Sequence, residues 1–146
     1  MELNVKIKKL RENAQIPAYQ TDGSACCDLT AAEGPVTVMP GERALIPTGL
    51  AMDFGSGDYA ALIFARSGLA SKKGLTLANA VGVIDSDYRG EIKVAVVNLG
   101  GEPVEIRPGD RIAQMGFFPV ARAVFRETDE LDDTERGNGG FGHTGV

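Results

Sequence analysis

Positive charge is in short supply. The chain's 146 residues carry 15 Lys and Arg against 20 Asp and Glu, a formal net charge of −5. General nucleic-acid and anionic-membrane binders rely on a basic field, so neither class of partner is expected. If phosphate is bound, a small local site must do it. Cysteine is scarcer still: Cys26 and Cys27 are the only two, and they are adjacent. Neighbours rarely bridge each other, and no second pair exists to complete a metal site. They read as small buried hydrophobes in a reducing cytosol, which makes the cytoplasm the expected compartment. No apolar run approaches membrane-span length. The first residues, MELNVKIKKLRENAQ, contain no long apolar stretch, so no signal peptide is expected. No Gly-Lys-Ser/Thr run follows a suitable loop, which excludes a Walker-type ATPase. The one histidine, His143, lies among glycines near the end of the chain. A catalytic histidine needs an orienting partner on a rigid element, so a solvated or phosphate-contacting role fits His143 better.

What the chain has in quantity is turn residues. Nineteen glycines and seven prolines punctuate a sequence of 43% hydrophobic content, an ordinary globular composition at the size of one domain. VKIKKL alternates with period two, as a half-buried strand does. PVTVMPGERALIPTGLAMDF reads as strand, Pro-Gly turn, strand, turn, strand. YAALIFA and GLTLANAVGVI are further apolar runs, and EIKVAVVNLG is rich in β-branched residues. Another Pro-Gly-Asp turn divides EPVEIRPGDRIAQMGFFPVARAVF. There is no internal repeat. Many short strands with regular turns predict an all-β sandwich or jelly-roll barrel.

Three stretches carry chemistry. RSGLASKKG, Arg66 to Gly74, has a serine placed to cap a helix, lysines in its last turn and a terminal glycine, which predicts one short helix. Unpaired N–H groups at its start, with Arg66 as a forked donor and Gly68 leaving the backbone accessible, suit an anion. A capped surface helix beside an arginine would look the same. GVIDSDYRGE sets Asp85 hard against the end of an apolar run. Asp85 is either a turn residue or a partly desolvated general base toward water, and Tyr88 offers a flat face to a sugar. Ser86, Asp87 and Gly90 shape a turn, and Arg89 serves the turn, a salt bridge or a phosphate contact. ETDELDDTERGNGGFGHTGV cannot bury enough surface to order itself. It is either a disordered tail or one that closes on a ligand, with Arg136 and an aromatic among glycines.

SACCDL, ARSGLA, NAVGVIDSDYRGE, GDRIAQM and RGNGGFGHTG occur in this order. Together they resemble the five motifs of the trimeric deoxyuridine triphosphatase family, the dUTP diphosphatases, from about Gly23 to Gly145. One motif alone would be weak; five in order are specific. The first departs from the family pattern, since Cys26 and Cys27 stand where a glycine often precedes a bulkier residue, while the aspartate and leucine are kept.

The resemblance implies a jelly-roll-like β domain over residues 1–127 and a flexible tail, 128–146, that closes over the site. It also implies a homotrimer with active sites shared between subunits, and Mg2+ held mainly by the substrate triphosphate. The reaction would be hydrolysis of dUTP to dUMP and pyrophosphate, which limits uracil incorporation into DNA and supplies dUMP for thymidylate synthesis. By the same resemblance, Asp85 activates the water and Tyr88 packs on the deoxyribose where a 2′-hydroxyl would clash. Asn79 reads uracil, and Val83, Ile84 and the backbone at Lys93 line the base and sugar. Arg66, Ser67, Gly68 and Gln114 contact phosphates, and Asp28 orders water around the metal. Arg136 and Thr144 fall on the terminal phosphate, Phe141 on the uracil face, and Gly142 within the same closing tail. A cytosine would leave buried polar groups unpaired in such a pocket, a larger penalty than a missing methylene. Two rivals share the scaffold: a dCTP deaminase, which would need another acid–base set in place of DSDYRG, and a non-catalytic nucleotide-binding regulator.

Overall fold

The computed structural model describes residues 2–141. Among them are eleven strands and one helix. In chain order the first strands are β1 (Lys6–Lys9), β2 (Cys27–Thr30), β3 (Val36–Val38), β4 (Arg43–Pro47), β5 (Leu50–Asp53) and β6 (Tyr59–Ala65). Helix α1 (Ser67–Lys73) follows, then β7 (Leu75–Leu77), β8 (Gly82–Ile84), β9 (Lys93–Asn98), β10 (Val104–Ile106) and β11 (Arg111–Pro119). The all-β expectation with a single short helix is met. The barrel, however, is not closed: the strands form open sheets in the orders β2-β11-β6-β8, β4-β9-β7, β1-β5 and β10-β3. Proline explains part of this. β3 and β10 have three residues each and are bounded by Pro35 and Pro40 and by Pro103 and Pro108, which cannot donate to a ladder and end the pairing early.

The sheets enclose one core. Leu29, Ile46, Leu50, Ile92, Ile106 and Met115 are almost wholly buried, and burying a side chain of this size contributes about 1.5–3 kcal/mol. Strand β9 shows how the pattern is read: Val94, Val96 and Asn98 point inward, while Lys93 faces solvent. Asn98 is fully buried, and its amide is satisfied throughout. Its Nδ2 donates to the Val38 and Glu102 carbonyls at 2.9 and 2.8 Å, and its Oδ1 accepts the Gly100 N–H at 2.9 Å. It ties the end of β3 to the β9–β10 loop, and its polar atoms are paired, as those of a buried group must be if it is not to destabilise.

Helix α1 differs from expectation at its start. Ser67 is its first residue rather than its cap; Arg66, with φ −81° and ψ 125°, occupies the cap position and makes no capping bond with its side chain. The end is as expected. Lys72 and Lys73 occupy the last turn, where they meet the negative end of the helix dipole, and Gly74 closes it at φ 71°. Glycine is required at 74 twice over, because a Cβ there would also fall 2.5 Å from Gly100 Cα.

Candidate functional site

One sheet gathers four of the five sequence motifs. β2 carries Asp28, β11 carries Gln114, β6 leads into Arg66, and β8 leads into Asp85; these are neighbours in the order β2-β11-β6-β8. Gln114 stands opposite Asp28 on one side and Phe64 on the other. Its Nε2 donates to the Ala65 carbonyl at 3.1 Å, fixing the backbone just before Arg66.

At this end of the sheet Asp28 is held between two arginines. Arg66 Nε lies 3.1 Å from Asp28 Oδ1, and Arg111 Nη1 lies 3.2 Å from Asp28 Oδ2. Arg66 also donates through Nη1 to the Arg111 carbonyl at 3.1 Å. The Asp28 side chain is only 13% exposed, with both oxygens engaged. Two guanidiniums are thereby held side by side next to the uncapped start of α1, where Ser67 and Gly68 are exposed. Two positive forks and free backbone N–H groups make a place for a polyanion. Arg111 was not singled out in the sequence, although it lies inside GDRIAQM; only the pairing of β2 with β11 reveals its role.

The other end holds a pocket of about 500 Å3 lined by Leu45, Val83, Ile84, Asp85, Tyr88, Glu91 and Lys93. Val83 is 60% exposed although apolar, so it presents an apolar face to the pocket. The loop after β8 is tightly built. The Tyr88 N–H donates to the Asp85 carbonyl at 3.1 Å, and Arg89 bonds the Ser86 carbonyl at 2.7 Å and Asp53 Oδ1 at 2.9 Å. Arg89 therefore serves both the turn and a salt bridge. Tyr88 folds back, its hydroxyl donating to the Glu91 carbonyl at 3.0 Å. Asp85 itself is exposed. The desolvation expected from its apolar approach is absent in the single chain, because the loop turns outward at the strand's end. Asn79 lies in the turn between β7 and β8, beside Ala80, whose φ of 61° is uncommon for a non-glycine residue. Its Nδ2 would be 3.7 Å from a Cβ on Gly82, which places the amide close over the start of β8.

The two ends are far apart. Antiparallel pairing sets Ile84 opposite Ala61, so Asp85 emerges beyond the start of that ladder, whereas Arg66 follows Ala65 at the far end of β6. At about 3.3 Å per residue the separation along the strand is on the order of 20 Å. Among the described residues, the tail joins neither end. Arg136 Nε donates to the Gly139 carbonyl at 2.9 Å, and Phe141 is fully exposed. Gly142, His143 and Thr144 lie outside the described residues.

The remaining chemistry is structural. Burial pushes both cysteine thiols up, so neither is a ready thiolate nucleophile. A larger groove of about 860 Å3, lined by Leu3, Val5, Ile7, Tyr19, Met115 and Phe117 among others, holds none of the motif acids or arginines. Among the described residues, no three His, Cys, Asp or Glu side chains are grouped to hold a metal ion, and no helix is long and apolar enough to cross a membrane.

The dUTPase family model matches residues 12–145. The chain belongs to the dUTPase family. It is 54% identical over 147 aligned positions to the deoxyuridine 5'-triphosphate nucleotidohydrolase of Desulfitobacterium hafniense, covering 99% of this chain and 97% of that one. To the protein of the same description from Paraburkholderia phymatum it is 47% identical, covering 99% of both. Among solved structures, a variant of the Staphylococcus bacteriophage 80alpha dUTPase with dUpNHpp superposes with a TM-score of 0.89 at 27% identity, covering 98% of this chain and 99% of that one. A variant dUTPase from phage phi11 of S. aureus, described as showing how a structural Mg(II) ion is coordinated, gives 0.79 at 26% identity, covering 88% and 98%.

Proposed function

We propose that this chain hydrolyses dUTP to dUMP and pyrophosphate, with Asp85 orienting and deprotonating the attacking water. The observation that carries the reading is the pocket beside Asp85: an exposed carboxylate, a fixed tyrosine and a dry strand edge at Val83 and Ile84 converge on one space, in a chain of the dUTPase family. Tyr88 lies against the deoxyribose, Asn79 and the Lys93 backbone read the uracil edge, and Asp85 faces the α-phosphorus. Arg66, Ser67, Gly68 and Gln114 take the phosphates. Arg111, a second cation held by Asp28, joins them in this reading.

A Mg2+ ion fits this scheme as a companion of the triphosphate rather than a resident of the protein, since the described acids are not grouped around an ion. When bound, it offsets phosphate charge. Asp28, its two oxygens already taken by arginines, acts first on Arg66 and Arg111 and reaches a metal only through water. Cleavage then proceeds by positioning and electrostatic stabilisation.

The register of β6 and β8 supports a site shared between copies. A strand separation on the order of 20 Å exceeds what one nucleotide triphosphate spans while keeping its α-phosphorus at Asp85. A homotrimer in which one subunit presents Asp85 and Tyr88 and another presents Arg66 and Gln114 removes the conflict. It also supplies the desolvation that Asp85 lacks alone. The tail, through Arg136 and Phe141 with Gly142 and Thr144 beyond, closes the site and excludes water. The setting is cytoplasmic, where the reaction limits uracil in DNA and supplies dUMP.

The test is pyrophosphate release with Mg2+ from dUTP, dTTP, dCTP and UTP in one assay. Release from dUTP alone is expected. Ammonia released from dCTP would establish the deaminase instead, and binding without turnover would establish a nucleotide-binding regulator.

A further inference from the structure

Glu91 and Arg11 are 80 residues apart, yet their side chains meet in a two-pronged contact: Arg11 Nε to Glu91 Oε1 at 2.5 Å and Nη2 to Oε2 at 3.0 Å. The Glu91 side chain is only 14% exposed, and its Oε1 also accepts the Gly49 N–H at 3.0 Å. Lys93 Nζ stands 4.0 Å from Oε2. The free prong of Arg11, Nη1, reaches Glu33 at 2.8 Å. One carboxylate thus joins the segment before β2, the β4–β5 turn and the loop that leads into β9. The backbone continues the fastening. Ile92 donates to the Leu50 carbonyl at 2.7 Å, and its own carbonyl accepts the Thr48 N–H at 3.1 Å and the Thr48 hydroxyl at 2.7 Å.

This fastened backbone is the seat of Tyr88. The tyrosine hydroxyl ends on the carbonyl of Glu91, and its ring lies over Gly90. Glu91 lines the same pocket as Asp85 and Tyr88. A forked ion pair with a backbone N–H as third partner is a stiff anchor, because it fixes orientation as well as distance. It is more than the turn requires, since Arg89 already ties the loop's other half to Asp53.

We propose that Arg11 and Glu91 are positioning residues for sugar selection: their clasp fixes the Glu91 carbonyl, the carbonyl fixes the Tyr88 ring, and the ring sets how strongly a 2′-hydroxyl is refused. The inference rests on the reading of Tyr88 as the sugar contact, and it assigns that contact's precision to a residue from the far end of the chain. Arg11 does not line the pocket, and Glu91, which does, is assigned its effect through the backbone carbonyl that seats Tyr88.

The experiment compares wild type with Arg11→Gln, Arg11→Lys, Glu91→Gln and the double variant Arg11→Gln/Glu91→Gln. All are labelled with fluorotyrosine, and Tyr88→Phe identifies the Tyr88 fluorine resonance. The kcat/KM ratio for dUTP over UTP should fall roughly tenfold in either glutamine variant, of the size a small misplacement costs. The double variant should be no worse than the singles, and Arg11→Lys should recover part of the loss. The Tyr88 resonance should move in the glutamine variants while those of Tyr19 and Tyr59 stay. An unchanged nucleotide ratio in an active enzyme, with only a lower melting temperature, overturns the proposal. So does an unmoved Tyr88 resonance, whatever the activity. Wild type that turns over no dUTP would instead sink the functional reading, and the fluorine spectra would still decide whether the clasp seats Tyr88.

Discussion

Asp28 and Arg111 are 83 residues apart, yet Arg111 Nη1 donates to Asp28 Oδ2 at 3.2 Å while Arg66 Nε takes the other oxygen at 3.1 Å. An acid between two arginines at the end proposed for the phosphates would work by holding cations in place. Asp28→Asn keeps the shape and removes the charge that lets two guanidiniums lie together. The protein should fold, with a loss of about 1–2 kcal/mol, modest because both arginines keep solvent contact. The larger effect should be on the KM for dUTP, with a smaller change in kcat. Steady-state kinetics and a thermal melt check both. A variant with normal KM would mean that Arg66 and Arg111 hold their places without the acid.

The glycine after Arg89 is a space requirement. A Cβ on Gly90 would overlap the Tyr88 hydroxyl and lie 2.6 Å from Cζ. Gly90→Ala therefore displaces the ring rather than the backbone. The loss of one hydrogen bond should cost only about 1 kcal/mol, while discrimination between dUTP and UTP falls sharply. The ratio of kcat/KM for the two nucleotides checks this, and an unchanged ratio would show that Tyr88 does not measure the sugar.

Much of this arrangement was legible in the sequence because it is local. YAALIFA marks β6 from end to end, and the glycine and lysines after Ala70 mark the end of α1. The start of α1 was misread because Ser67 looks like a cap, whereas the extended backbone at Arg66 takes that position as its side chain turns to Asp28. The Asp28–Arg111 and Arg11–Glu91 pairs were invisible for a simple reason. Each joins residues 80 or more apart, and only the order of strands brings them together. The exposure of Asp85 in the single chain was hidden in the same way, since a run of apolar residues says where a strand is but not which way its last residue turns.

Glu91 predicts an acid-side loss of stability. The Arg11 hydrogen bond is the main influence lowering its carboxyl below the ordinary range. Burial opposes it, and the Arg11 charge, the Gly49 N–H and Lys93 reinforce it. A pKa depressed by folding means a contribution that is present above the unfolded value and lost as pH falls through the folded one. The melting temperature of wild type should exceed that of Glu91→Gln at about pH 7; the gap should begin to narrow at about pH 4, the ordinary carboxylate range, and close only as pH falls further, through the lowered folded value. Glu33 shares Arg11, its carboxylate 2.8 Å from Nη1. Repeating the melts in a Glu33→Gln background isolates the Glu91 part. A gap that persists at low pH would assign the Glu91 effect to packing rather than charge.

Arg66 and Asp85 lie at opposite ends of β6, on the order of 20 Å apart along the strand, and that makes the proposed shared site directly testable. Asp85→Asn should fold and bind nucleotide, because Asp85 is exposed and its loop is held by its backbone carbonyl and by Arg89. It should lose roughly 10²–10⁴-fold in kcat, the range for a missing general base. Arg66→Gln should be impaired through the phosphates instead. In the proposed homotrimer, the two impaired variants mixed before reassembly would form hybrid trimers. A site that draws Arg66 from the first variant and Asp85 from the second is then intact. Random assembly at equal amounts makes about one quarter of the sites intact if two different subunits build each one. Activity should therefore rise to about a quarter of wild type on mixing. If each chain completed its own site, no mixture could exceed the activity of its parts, so the absence of recovery in well-formed hybrids would place Arg66 and Asp85 in separate functions.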